Sequence, residues 1–259
     1  MDYKTIIFEK KGGIGYVIMN RPEVLNAINA EVLNELSDVF DVIEADSEIQ
    51  IIIITGSGRS FIAGADIAEM NEMSAIEGRA FMLKGQAVMR KLENSEKPII
   101  AAVNGFALGA GCELACACDL RFASESAKFG QPEVNLGIIP GFGGTQRLPR
   151  LIGQGVAKMM IFGAEMIDGR KARNIGLVER VFPDNELMDR TEAFANMILT
   201  KAPIAVKMAK VSIDNGLNTD LRTGVNFEAE ASVAAFGSED RKEGMGAFLE
   251  KRKATFNNR

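Results

Sequence analysis

The alternation of apolar and polar positions divides the chain into recognisable elements from its first residues. TIIFEK and IGYVIMN flank the turn KGG, which predicts a β-hairpin. In NAINAEVLNELSDVFDVIEAD the apolar residues Ile28, Val32, Leu36, Val39 and Ile43 recur every three or four positions, the spacing of one helix face. QIIIIT (50–55) is instead a continuous apolar run closed by Gly56 and Gly58, which suits a strand buried on both faces, as in a parallel sheet. PIIAAVNG (98–105) is a second such run, and a helical pattern from roughly Ile76 to Leu92 lies between the two. Strand, helix, strand in that order predicts a βαβ unit with a right-handed crossover. A third strand is predicted over DLRFAS (119–124), after a helix starting near Ala110, and a short one over VERVF (178–182). Residues 130–150, rich in glycine and proline, read as an ordered loop system. Helices are predicted from near Asn185, Pro203 and Thr219, with a shorter one over Gly246–Lys253. The architecture expected is α/β with a helical C-terminal layer, whose apolar stripes need cover from the main domain or from another subunit. No internal repeat or low-complexity tract interrupts it.

Composition narrows the chemistry more than the fold. With 47% hydrophobic and 25% charged residues among 259, the chain reads as an ordinary globule. No apolar run approaches the roughly eighteen residues of a membrane span. The start, MDYKTIIFEKKGG, lacks the features of a signal or transit peptide, so a cytoplasmic location is the expectation. A net charge of −5 argues against nucleic acid or an anionic membrane as main partner; the one basic cluster is KRK at 251–253. Cys112, Cys116 and Cys118 do not make a complete zinc site and read as small buried thiols. Histidine is absent altogether, which excludes Ser-His-Asp and Cys-His machinery and any His-ligated metal. Acid–base work would fall to carboxylates, lysine, tyrosine or cysteine.

Both buried strands run into glycine-rich turns that feed helices: GSGRSFIAGADIAEM, with a helix near Ala65, and FALGAGCEL, with one near Ala110. Such turns gather at the carboxyl ends of strands, where free N–H groups of helix N-termini point outward. Two of them could aim two N–H groups at one oxygen as an oxyanion hole, or the glycines could merely permit tight turns. GAGCEL has no Lys-Ser/Thr of a P-loop, and the G-x-G-x-x-G pattern fails at Leu114. Glu113 sits in the first turn of its helix, where the dipole favours an acid, yet Leu114, Ala115 and Cys116 beside it look buried. Glu133 follows Pro132 in FGQPEVNLGIIPGFGGTQRL and could be a surface charge or the second member of a pair. Two carboxylates flanking one water would drive their pKa values apart, so that one is acid while the other is base.

IAAVNGFALGAGCELACACDL resembles the signature of the crotonase (enoyl-CoA hydratase/isomerase) family. FIAGADIAEM resembles that family's first oxyanion loop, and FGQPEVNLGIIPGFGGTQRLPR its second acid loop. MNRPEVLNAI and GMGAFLEKRKATF match as well, so the likeness runs in register from about residue 4 to 256. It implies a ββα spiral core over residues 1–195 and a helical trimerisation region over 196–259. By the same resemblance, the N–H groups of Ala65 and Ala110 bind the thioester oxygen, Glu113 and Glu133 hold the water, and Gly141 offers that water another N–H. Coenzyme A contacts are implied at Glu23, Val24, Ala65, Asp66, Ile67 and Ala68, and at Phe248 and Lys251 of a neighbouring subunit. The KRK cluster would then face the nucleotide phosphates. Some relatives carry lysine at the position of Ala68, so one phosphate contact is missing here. The activity implied, closest to bacterial short-chain members, is reversible syn hydration of a 2-trans-enoyl-CoA. It needs no metal and no cofactor beyond the coenzyme A of the substrate, in a homotrimer or a dimer of trimers. Within the family the rival is Δ3,Δ2-enoyl-CoA isomerase, which needs one carboxylate where this chain keeps two. An RNA-binding relative would show a lysine-rich helix near 70–92, whereas MNEMSAIEGRAFMLKGQAVMRKL carries acids and methionines as well.

Overall fold

The computed structural model describes residues 2–258. In chain order its elements are β1 (Ile6–Lys11), β2 (Ile14–Met19), α1 (Ala30–Ala45), β3 (Ile51–Gly56), β4 (Ser60–Ile62), α2 (Ile67–Asn71), α3 (Ala75–Asn94), β5 (Ile99–Val103), β6 (Phe106–Leu108), α4 (Ala110–Ala117), β7 (Leu120–Ser124) and β8 (Lys128–Gly130). They continue with α5 (Gly144–Ile152), α6 (Gln154–Phe162), β9 (Ile167–Asp168), α7 (Gly169–Asn174), β10 (Arg180–Phe182), α8 (Leu187–Leu199), α9 (Pro203–Gly216), α10 (Leu221–Gly237) and α11 (Glu239–Leu249). The chain divides into two compact units. One runs to Asn94 and takes up Ile99–Thr191; the other comprises Ser95–Pro98 and the chain from Glu192 on.

In the first unit a six-stranded sheet has the order β1-β2-β3-β5-β7-β10, and a four-stranded sheet the order β4-β6-β8-β9. The β1–β2 hairpin is antiparallel, and from β2 through β10 every pairing in the larger sheet is parallel. Ile51–Ile54 and Ile99–Val103 are buried throughout, which is why these strands read as unbroken apolar runs rather than alternating ones. Helix α1 lays Val32, Leu36, Val39 and Ile43 into the same core. Its first turn is closed by Asn29, whose side chain accepts the Val32 N–H at 2.9 Å.

The short second sheet places the site. Each core strand is followed by a short strand of this sheet, β4 after β3 and β6 after β5, and β4, β6 and β8 pair in parallel. Asn104, in the turn after β5, donates to the carbonyls of Gly56 (2.8 Å) and Gly58 (3.1 Å), tying the two turns together. No side chain fits between them: a Cβ on Gly105 would lie 2.1 Å from the Arg59 carbonyl oxygen.

Two expectations need correction. The segment 130–150 is not all loop, since Pro132–Leu136 forms a 3-10 turn and α5 begins at Gly144; glycines at its start masked the helix. The last helix is α11, Glu239–Leu249, rather than Gly246–Lys253. Ser238 caps it by accepting the Arg241 N–H, and Lys251 turns to a φ of 56°, so the KRK cluster lies beyond the helix end. In the second unit α9 and α10 pack closely at Gly216 and Gly224, where a Cβ on Gly224 would sit 3.1 Å from the Gly216 Cα. Among the described residues no helix is long and apolar enough to cross a membrane.

Candidate active site

Parallel pairing of β4 with β6 carries two helix-feeding turns out side by side. A Cβ on Gly109 would lie 3.8 Å from the Gly64 Cα. Ile28 bridges the first turn, donating to the Gly64 carbonyl at 2.9 Å and accepting the Asp66 N–H at 2.8 Å. That bridge uses the Gly64 carbonyl before Ala65 and the Asp66 N–H after it, and leaves Ala65's own N–H without a backbone acceptor among the described residues. Ala110 is the first residue of α4, so its N–H has no carbonyl one turn back to bond within the helix. Gly109 before it takes φ 49°, ψ −120°, a left-handed twist that turns the helix start toward the cavity.

Both alanines line one cavity of ≈ 120 Å³, together with Glu113, Glu133 and Gly141. The walls are otherwise apolar: Ile67, Met70, Met82, Leu136, Ile138, Ile139 and Phe142. Glu113 is 1% exposed, so its N-terminal place in α4 is not ordinary surface charge compensation. Its Oε1 accepts the backbone N–H groups of Phe142 (2.8 Å) and Gly144 (2.6 Å). Burial pushes its carboxyl up, while those two N–H groups and the Arg147 guanidinium pull the other way. Glu133, in the 3-10 turn, is less enclosed. Burial, with the Glu113 charge adding to it, pushes Glu133 up to about 7.

Gln131 is fully buried between the acids. With its amide nitrogen turned toward Glu133, it donates to Oε1 at 2.8 Å and Oε2 at 3.1 Å. Close glycines make this packing: a Cβ on Gly109 would fall 2.9 Å from Glu133 Oε1, and one on Gly144 would fall 3.0 Å from Glu113 Oε1. Two carboxyls raised by burial, facing two N–H donors in an apolar cavity, can polarise a carbonyl and move protons at adjacent atoms.

A family model described as enoyl-CoA hydratase/isomerase matches residues 9–259. The chain belongs to the enoyl-CoA hydratase/isomerase family. It is 53% identical over 254 residues to the short-chain-enoyl-CoA hydratase of Clostridium acetobutylicum, covering 98% of this chain and 97% of that one. To the crotonyl-CoA hydratase of Syntrophomonas wolfei it is 50% identical over 257 residues, covering 99% of each. The crystal structure of an enoyl-CoA hydratase from Bacillus anthracis superposes with a TM-score of 0.96 at 38% identity, over 99% of this chain and 100% of that one. The fold is therefore that of the crotonase enzymes.

Of the residues singled out from the family motifs, Glu113, Glu133, Ala65, Ala110, Gly141 and Ile67 share the cavity. Glu23 and Val24 stand outside it in a 3-10 turn, Pro22–Val24, that ends on two left-handed residues, Leu25 and Asn26. Asp66 is the N-terminal cap residue of α2, with Ala68 in the first turn behind it, and its carboxylate is held by both Arg21 terminal nitrogens at 3.1 Å. Phe248 and Lys251 belong to the second unit and are exposed there. Within KRK, Arg252 is committed to Glu243 and Glu250. Three contributors escaped the sequence reading: the Phe142 and Gly144 N–H groups, Gln131, and Arg147. Backbone donors leave no residue-type signature; Gln131 and Arg147 stood within the quoted acid loop but carried no distinguishing spacing. The thiols play no part in the cavity lining, and a hydrogen bond to Cys116 together with burial pushes Cys112 well up, keeping it protonated.

Proposed function

We propose that the protein hydrates short-chain 2-trans-enoyl-CoA thioesters reversibly to 3-hydroxyacyl-CoA, crotonyl-CoA being the substrate that the relatives' names point to. The observation that carries this reading is the pairing of two acids of different enclosure in one apolar cavity with two N–H groups that have no backbone acceptor among the described residues. The Ala65 and Ala110 N–H groups hold the thioester oxygen as negative charge builds on it, a contribution of about 3–4 kcal/mol for each donor. Glu113, ionised, takes a proton from water as its oxygen bonds to C3. Glu133, in its protonated form, delivers a proton to C2, and the proton left on Glu113 then returns to Glu133 or to solvent. The two acids titrate as a pair, so the division is one of microstates. Gly141 faces the water from the cavity wall. Carboxylates and amides supply every proton and charge, so coenzyme A enters only as part of the substrate.

Glu23, Val24, Asp66 and Ala68 flank the coenzyme, and Phe248 and Lys251 reach it from a neighbouring subunit of a homotrimer or dimer of trimers. The core over 1–195, the helical assembly region over 196–259 and a cytoplasmic, butyrate-type setting complete the reading. The test is the loss of crotonyl-CoA ultraviolet absorbance on adding the protein. Rapid loss, cut sharply in both Glu113→Gln and Glu133→Gln, is expected. Isomerisation of 3-enoyl-CoA with no hydration would replace this reading by the isomerase.

A further inference from the structure

An ion pair behind the cavity breaks the usual rule for charges at helix ends. Glu93 sits in the last turn of α3 and Arg147 in the first turn of α5. Each is at the end whose dipole disfavours its sign. The two nevertheless form a bidentate pair, Nε to Oε1 at 2.5 Å and Nη2 to Oε2 at 2.6 Å. The remaining arm of the fork, Nη1, donates to the Phe142 carbonyl at 2.8 Å. The residues on either side of Gly143, Phe142 and Gly144, supply the N–H groups that Glu113 accepts. Gly143 is at φ 112°, and a Cβ there would lie 2.0 Å from Arg147 Nη1, so the guanidinium fills the space a side chain would take.

We propose that Arg147, anchored by Glu93, is a positioning residue of the hydration site: it holds the Phe142–Gly144 turn against Glu113 and lays a fixed positive charge beside that carboxylate. The inference rests on the hydratase reading for its kinetic consequences. Around Glu113 the other titratable groups are Cys112 and Cys116 on its own helix, Glu133 from the 3-10 turn and, reaching Cys116 from β7, Arg121. Beside them Arg147 supplies the positive charge that favours ionised Glu113. The clamp touches neither Ala65 nor Ala110, so it acts on the chemical step rather than on thioester binding.

The experiment is the pH profile of kcat and KM for crotonyl-CoA in wild type, Arg147→Gln and Arg147→Lys, with folding checked by circular dichroism. Removing the cation makes Glu113 harder to ionise, so the acid limb moves to higher pH by about one unit. Loosening the turn lowers kcat by roughly 10–100-fold, with KM within about twofold, since uniform binding is untouched. Lysine keeps the charge but not the fork, so it restores the acid limb and only part of kcat. An unmoved limb in Arg147→Gln, a loss lying in KM, or a lysine variant no better than glutamine overturns the proposal. Should Arg147→Gln not fold, Glu93→Gln decides: stripping the countercharge moves the limb to lower pH, and any other result overturns the proposal. If wild type does not hydrate crotonyl-CoA, the hydratase reading fails on its own. Titration of the Glu113 carboxyl by 13C NMR then still tests the clamp, through an upward shift in Arg147→Gln.

Discussion

Replacing Glu133 by glutamine should make the protein more stable and far less active, in a pH-dependent way. Its carboxyl loses a proton near 4.5 when unperturbed and near 7 in the folded site. At about 1.4 kcal/mol per pH unit, that difference places roughly 3 kcal/mol on the ionised form, which solvent at the partly open carboxyl reduces to about 2 kcal/mol. Between the two pKa values the folded state binds more protons than the unfolded state, so stability falls as pH rises from 4.5 through 7. Glutamine carries no such penalty and can still accept from Gln131. The melting temperature of Glu133→Gln should therefore match wild type near pH 4 and exceed it by about 5 °C at pH 8.5. Activity should drop by about 100- to 10,000-fold at every pH, the range for loss of a general acid or base. Differential scanning calorimetry at the two pH values, beside the crotonyl-CoA assay, measures both effects. Equal melting differences at pH 4 and 8.5, or activity within tenfold of wild type, would refute the reasoning.

Glu113→Gln should lose hydration to a similar degree, about 100-fold or more, while its single amide oxygen still accepts from Phe142 and Gly144; a crystal structure with that turn displaced would count against the assignment. Gly144→Ala puts a methyl 3.0 Å from Glu113 Oε1 and 2.7 Å from the Gln131 amide. It should lower kcat by about 100-fold with KM nearly unchanged, and a mainly raised KM would contradict it. Met82 packs so closely on Gly141 that a Cβ there would meet its sulfur at 2.0 Å. Met82→Ala should enlarge the cavity and raise the hexenoyl-to-crotonyl ratio of kcat/KM by about tenfold; an unchanged ratio would place the acyl chain elsewhere.

Much of the first unit was legible because burial writes itself into residue type. Ile51–Ile54 and Ile99–Val103 read as buried parallel strands, and α1 announced its inner face through four apolar positions at helical spacing, Val32, Leu36, Val39 and Ile43. The short strands β4, β6, β8 and β9 were not legible, since two or three residues carry no period. Yet it is their pairing that sets Gly64 beside Gly109 and so brings two turns, forty-five residues apart, to one cavity. The helix α5 was hidden by the glycines at its start, which serve the close approach to Glu113 rather than the helix.

Sequence alone determined the catalytic repertoire and the motifs. A chain without histidine must move protons with other groups, and five blocks in order named the family and its two acids. Only the tertiary structure decided how those acids differ. Glu113 is sealed and held by two backbone N–H groups, whereas Glu133 is partly open and held by the Gln131 amide. Protonation is set by desolvation and by donors arriving from distant turns, and neither is written in the identity of a glutamate.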